Sequence, residues 1–207
     1  MQEQKEKVWD IGVRVFHWSL VTLFVIAYLS GDEESTLHAY AGYAIGALLA
    51  FRLVWGLVGT RYARFTQFLT GSSEVKQYLL GLAKGSPKHY VGHNPAGGWM
   101  VVLLLLFLIA TVVSGLKAYG LEGQGPLAQG NQVEWVSVAQ ADDDDEAASN
   151  GGGKKEGEEF WEGIHEFFAN FTLLLIGIHI SGVLVSSLLH KENLARAMIT
   201  GMKNKKT

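Results

Sequence analysis

The sequence predicts an all-α membrane protein, a bundle of four transmembrane helices. Three observations carry this. Residues 97–116 hold no charged side chain over 20 positions, which is long enough to span hydrocarbon about 30 Å thick. Three further apolar stretches, at about residues 13–30, 37–59 and 164–189, approach the same length. Basic and acidic residues are sorted into alternate connections between these stretches, as a multi-pass topology requires. At 207 residues and 48% hydrophobic composition, the chain is read as one membrane domain over residues 1–207.

The first span carries Arg14, His17 and Trp18 in its opening turns. No small-residue cleavage site follows it, since Ser30 and Gly31 lead into Asp32, Glu33 and Glu34, so it is read as a retained span. The second span opens with His38 and is rich in small residues (Ala39, Ala41, Gly42, Ala44, Gly46 and Ala47), which let a helix or a flat cofactor approach closely. Arg52 lies inside it, towards its far end. Residues 61–96 form a polar connection. Within it, Val75, Tyr78, Leu79 and Leu82 recur at helical spacing and predict a short helix on the membrane surface. Gly92, His93, Asn94 and Pro95 then make a turn and helix start for the third span. Residues 120–163 read as a flexible loop, glycine-rich at both ends and acidic at 142–146. The fourth span follows, and the tail from His190 is basic.

Arginine and lysine concentrate before span one, between spans two and three, and after span four. The two remaining loops are acidic. The expectation is therefore that both termini and the middle connection are cytoplasmic. The chain has no cysteine, which excludes disulfides, cysteine-ligated iron–sulfur clusters and covalently attached c-type haem. Basic residues follow the topology, and no nucleic-acid-binding signature is present.

His165 and His179 both lie on span four, 14 residues apart. That interval returns to within about 40° of the starting direction and separates the rings by about 21 Å along the axis. One ring thus falls near each side of the hydrocarbon. Alternation of the spans puts His17 at the depth of His179, and His38 at the depth of His165. Each pair is drawn from two helices at one level, as bis-imidazole ligation of a b-type haem requires. A lone intramembrane histidine can instead be satisfied by a neighbouring helix. Zinc also suits imidazole, but it favours clustered ligands rather than two distant pairs. Arg14 and Arg52 are candidates to pair with haem propionates, against the alternative of snorkelling to the interface. His93, with its ordinary pKa near 6.5, is a candidate to exchange protons at a quinone pocket. His89 and His190 read as exposed interfacial residues.

The chain resembles the prokaryotic cytochrome b561 family, the group that includes the b-type cytochrome subunits of nickel–iron hydrogenases. The matching residues are Trp9, Asp10 and Arg14 to Trp18; His38 and Gly42; Phe51 to Gly56 with Gly59 and Tyr62 to Phe65; Gly92 to Pro95; His165 with Glu166; and His179 with Gly182 and Val183. The resemblance implies a four-helix bundle binding two haem b groups, with the span-one and span-two histidines paired to those of span four. It also implies electron transfer between the quinone pool and a protein partner.

The expected protein is a dihaem b-type cytochrome of the bacterial inner membrane, in contact with lipid. It would pass electrons between a quinone and a periplasmic redox partner, a cytochrome c or a hydrogenase-type subunit, and a homodimer is compatible with this reading. Two other classes stay open. One is a partner-independent quinol oxidase acting on a small acceptor such as superoxide. The other is a metal-ion or proton transporter using the same histidines.

Overall fold

The computed structural model describes residues 5–31, 35–128 and 150–204. The chain begins with a short strand β1 (Lys5–Lys7), followed by helices α1 (Ile11–Leu29) and α2 (Thr36–Val58). Two 3₁₀ turns (Arg61–Ala63 and Phe65–Gln67) lead to α3 (Ser72–Ala83). Then come α4 (Pro95–Leu121), α5 (Asn150–His190), α6 (Leu194–Thr200) and β2 (Met202–Asn204). Four helices, α1, α2, α4 and α5 from Glu156, are long and apolar enough to cross a membrane. Four helices of spanning length and the expected short helix of the middle connection are therefore present.

Local signals explain where the helices start. Asp10 caps α1 by accepting from Val13 N at 2.9 Å, Ser35 caps α2 through His38 N at 3.3 Å, and Asn94 caps α4 through Gly97 N at 2.7 Å. Each side chain satisfies a backbone donor that has no partner within its helix. Pro95 opens α4, where its missing N–H costs nothing.

The helices do not stop where hydropathy placed their ends. Residues 120–163 were expected to be loop, yet α4 runs to Leu121 and α5 starts at Asn150, fourteen residues before the apolar stretch. The reason is that lysine and glutamate between 154 and 162 favour helix, and extending a nucleated helix is cheaper than starting one. The acidic run at 142–146 lies outside the described residues.

α1 packs on α2, α4 on α5, and α2 crosses α4. Phe16, Ile45, Leu49, Leu105 and Leu108 form one core joining α1, α2 and α4. The α4–α5 seam uses small polar residues, the fully buried Thr172 and Ser114, beside a stack of Phe107 on Phe171 at 4.5 Å. Their hydroxyls turn back onto their own helix or across the seam, as with Ser114 Oγ donating to Ala110 O at 2.8 Å, so the backbones approach without orphaned groups.

The second core lies at the end that holds both termini. Val8, Trp9, Val13, Ala63 and Ala197 form it. β1 pairs antiparallel with β2, and Val8 N and Trp9 N both donate to Gly201 O, at 2.9 and 3.1 Å. Gly201 has φ +81°, and a Cβ there would meet Trp9 O at 2.6 Å, so only glycine fits. Buried Lys203 donates to Tyr90 O at 3.0 Å and lies 3.7 Å from Glu192 Oε2. Glu192 also meets His89 at 2.8 Å. The tail, read from sequence only as basic, is thus a clasp holding three segments together at one end.

Asp10 ties this end to α2, since it accepts from Trp55 Nε1 at 3.2 Å and from the Thr60 hydroxyl. Burial acts to raise its pKa, but the bonds from Thr60, Val13 and Trp55 outweigh it and hold the carboxylate below its usual range. Asp10→Ala removes both the cap and the cross-link. It should lower stability by about 1–3 kcal/mol, seen as a lower thermal unfolding midpoint in detergent.

Candidate functional site

The histidines of the helices fall at two levels. At the end away from the termini, His38 in the first turn of α2 faces His165 of α5, with ring centroids 5.8 Å apart and planes at 89°. Each ring is fixed by its other nitrogen. His38 Nδ1 lies 2.8 Å from Ala27 O of α1, and His165 Nδ1 lies 2.9 Å from Thr111 O of α4. A carbonyl can only accept, so Nδ1 carries the proton in both rings and Nε2 is left with a free lone pair. This is the arrangement by which a protein orients a metal-ligating imidazole. The centroid separation of 5.8 Å is slightly less than two opposed imidazole–metal bonds of about 2 Å each require, so the rings would part slightly to admit one metal atom between them. Space for a flat group is present too. Gly42 lies one turn below His38 on the same face, half-buried, and a Cβ there would have nothing within 4 Å.

The α4 backbone closes tightly on the His165 ring. A Cβ on Gly115 would stand 2.9 Å from His165 Cε1. Glycine at 115 therefore sets the ring position, and nothing in the hydropathy pattern singled it out.

The terminal end gathers His17, His179, Arg14, Arg52 and His93. His17 and His179 lie close enough to interact electrostatically, and Arg52, Lys203 and His179 all act on His93. Arg14 Nη1 lies 3.3 Å from where a Gly201 Cβ would be. Arg52 is 3% exposed, with its guanidinium 4.9 Å from the Phe65 ring centroid. That burial decides against snorkelling for Arg52.

Arg14 Nε, His17 Nδ1, Arg52 Nη1 and His93 Nδ1 are all buried without a hydrogen-bond partner. A buried polar atom left unpaired costs about 1–3 kcal/mol, more when charged, so four at one end of one bundle mark a place built for a further polar group. Two guanidinium groups beside a histidine pair suit a ligand that is coordinated at its centre and carries carboxylates at its rim. The donor set fits a bis-imidazole haem with propionates. Among the described residues, no group of three or more histidine, aspartate or glutamate side chains is arranged to hold a metal ion; the histidines come in pairs.

His93 packs edge-on against Trp9 at 4.6 Å and tilted on Phe68 at 4.5 Å. With Arg61, Tyr62, Gln67, Phe68 and Tyr90 it lines a polar cavity of about 170 Å³. Burial, reinforced by the charges of Arg52 and Lys203, holds its pKa down at about 3. The ring is therefore neutral at ordinary pH and free to donate or accept a hydrogen bond. His89 and His190 are half-buried and 5.4 Å apart, not exposed as their polar neighbourhood suggested. They belong to the clasp, because Glu192 draws His89 inwards.

The fold is a helical bundle with four helices long and apolar enough to cross a membrane, and histidines from different helices come together in it. The sequence profile of the prokaryotic cytochrome b561 family matches residues 8–201, and the chain belongs to that family. It is similar to the probable Ni/Fe-hydrogenase B-type cytochrome subunit of Bradyrhizobium diazoefficiens, at 28% identity over 148 residues, covering 57% of this chain and 59% of that one. It is similar to the protein of the same description from Azotobacter chroococcum, at 28% identity, covering 60% of this chain and 62% of that one. The probable Ni/Fe-hydrogenase 1 B-type cytochrome subunit of Escherichia coli K12 is 27% identical, with 56% and 61% covered. The chain thus spans 59 to 62% of the length of these curated relatives. No solved structure matches it.

Protonation of His93 is coupled to unfolding. The unfolded chain takes up this proton near pH 6.5 and the folded chain only near pH 3, so stability falls as pH drops through that window and is regained above 6.5. Unfolding midpoints measured in detergent between pH 7 and 5 should fall less steeply in His93→Gln.

Proposed function

We propose that the chain is a dihaem b-type cytochrome that carries electrons across the bacterial inner membrane, between the quinone pool and a redox partner on the periplasmic side. The observation that carries this is the two-level pairing of histidines. His38 and His165 would hold one haem b, and His17 and His179 the other. Arg14 and Arg52 would receive propionates at the terminal end. Haem supplies reversible one-electron chemistry when bound, with a potential set by its axial ligands and their hydrogen bonds.

The chain's own residues do the rest. Ala27 O and Thr111 O hold the far-end imidazoles in one tautomer and orientation. The apolar bundle keeps water away from both pairs and so strengthens each electrostatic contact inside. The interval of 14 residues on α5 sets the two levels about 21 Å apart along one helix. The neutral ring of His93 and the polar cavity beside it would receive a quinone head group at the terminal end. The basic residues of that end favour the cytoplasmic side. The relatives are described as probable hydrogenase B-type cytochrome subunits, which makes a hydrogenase-type subunit the partner to test first, with a cytochrome c second. A metal-ion transporter is less well supported, because the described residues hold no cluster of three ligands.

Selective loss of one haem tests the ligand assignment. Gly115→Ala pushes a methyl group against the His165 ring and should lower haem content to about half, as should His38→Ala, while the spectrum of the other site persists. His17→Ala should remove the complementary half. Loss of the same haem in His17→Ala and His38→Ala would contradict the pairing. Reduction of the haems by a short-tailed quinol, lost in His93→Ala at unchanged haem content, tests the quinone site.

A further inference from the structure

Tyr62 links the wall of the cavity beside His93 to a carboxylate on β1. Tyr62 forms part of its wall, and the Tyr62 ring lies against the backbone next to His93, since a Cβ on Gly92 would meet Tyr62 Cδ1 at 3.0 Å. On its other side, the Tyr62 hydroxyl donates to Glu6 Oε1 at 2.6 Å. Glu6 sits on β1, half-exposed at the surface of the terminal end. The bond to Glu6, together with burial, raises the phenol's pKa, so it keeps its proton and acts as a donor. A cavity of about 170 Å³ has room for several waters at about 30 Å³ each. A phenol that donates outward to a carboxylate keeps its oxygen lone pairs to accept from a water inside.

We propose that Tyr62 and Glu6 form a proton relay between the His93 cavity and the aqueous phase on the terminal side. This deepens the quinone reading above and rests on it. Oxidation of a quinol releases two electrons and two protons. The electrons would pass to the haems that the histidine pairs would hold, and the protons must reach water. For each proton that uses the relay, a cavity water passes it to the Tyr62 oxygen as the phenolic proton moves to Glu6, and Glu6 then releases it to solvent. Quinone reduction runs the same transfers in reverse. The strand pairing of β1 with β2 is what holds Glu6 at the mouth, giving the clasp of the termini a role beyond packing.

The test uses the full haem-loaded chain with a decyl-tailed benzoquinol as electron donor. The rate of haem reduction is followed by stopped flow in H₂O and D₂O for wild type, Tyr62→Phe and Glu6→Gln. The expected result is a fall of about tenfold or more in the limiting rate in both variants. The solvent isotope effect should be larger, while the half-saturating quinol concentration and the equilibrium midpoint potentials of the haems stay unchanged. Wild-type limiting rates in both variants would overturn the relay alone. So would a raised half-saturating concentration with an unchanged limiting rate, which marks a binding role. Failure of the quinol to reduce wild type would overturn the quinone reading and the relay with it. Should Tyr62→Phe bind less haem, Glu6→Gln decides the question, because it keeps the side chain's size and its ability to accept from Tyr62.

Discussion

A polar side chain inside an apolar bundle must find a partner, and much of this structure follows from that requirement. At the far end the requirement is met by backbone. Ala27 O and Thr111 O each take one nitrogen of a histidine, leaving the other nitrogen of each ring with its lone pair. At the terminal end it is not met by protein alone, since two arginines and two histidines keep buried atoms unpaired. One bundle thus holds a fixed pair and a pair set among cationic donors, and both fit a cofactor with a metal at its centre and acids at its edge.

The same requirement shapes the termini. The end with the unpaired cations is also the end where the termini pack. Trp9 packs against His93, Gly201 leaves no room for a side chain beside Trp9 and Arg14, and Lys203 bonds across to Tyr90. A strand pair of three residues is marginal by itself. Here it is held by Lys203, Glu192 and His89, which satisfy one another in a nearly dry setting. Arg52, 3% exposed, is thereby screened less than a surface arginine would be.

The four long apolar helices were legible because apolar length is a strong signal, and the meeting of His38 with His165 because helical geometry converts spacing into depth. The far-end pair meets as depth alone suggested, with His38 against His165. The start of α5 was misread because glycines and charges look like loop, whereas lysine and glutamate extend an existing helix at little cost. The clasp was not legible. Glu192, Lys203 and Tyr90 are distant in sequence, and β1 with β2 is too short for alternation to show. Thr111, Ser114 and Gly115 escaped for a different reason: on a helix apolar throughout, hydropathy does not mark which face meets a partner, and only the position of the His165 ring shows it.

The central claim is that the bundle holds two haems, each between a pair of histidines from different helices. The most direct measurement is haem quantified per chain on purified protein made with ample haem supply, together with the reduced-minus-oxidised absorption spectrum. The account predicts two non-covalent b haems per chain, both low-spin as two strong imidazole ligands require. A chain that binds one haem would leave one of the pairs without its purpose, and a chain that binds none would contradict the account outright.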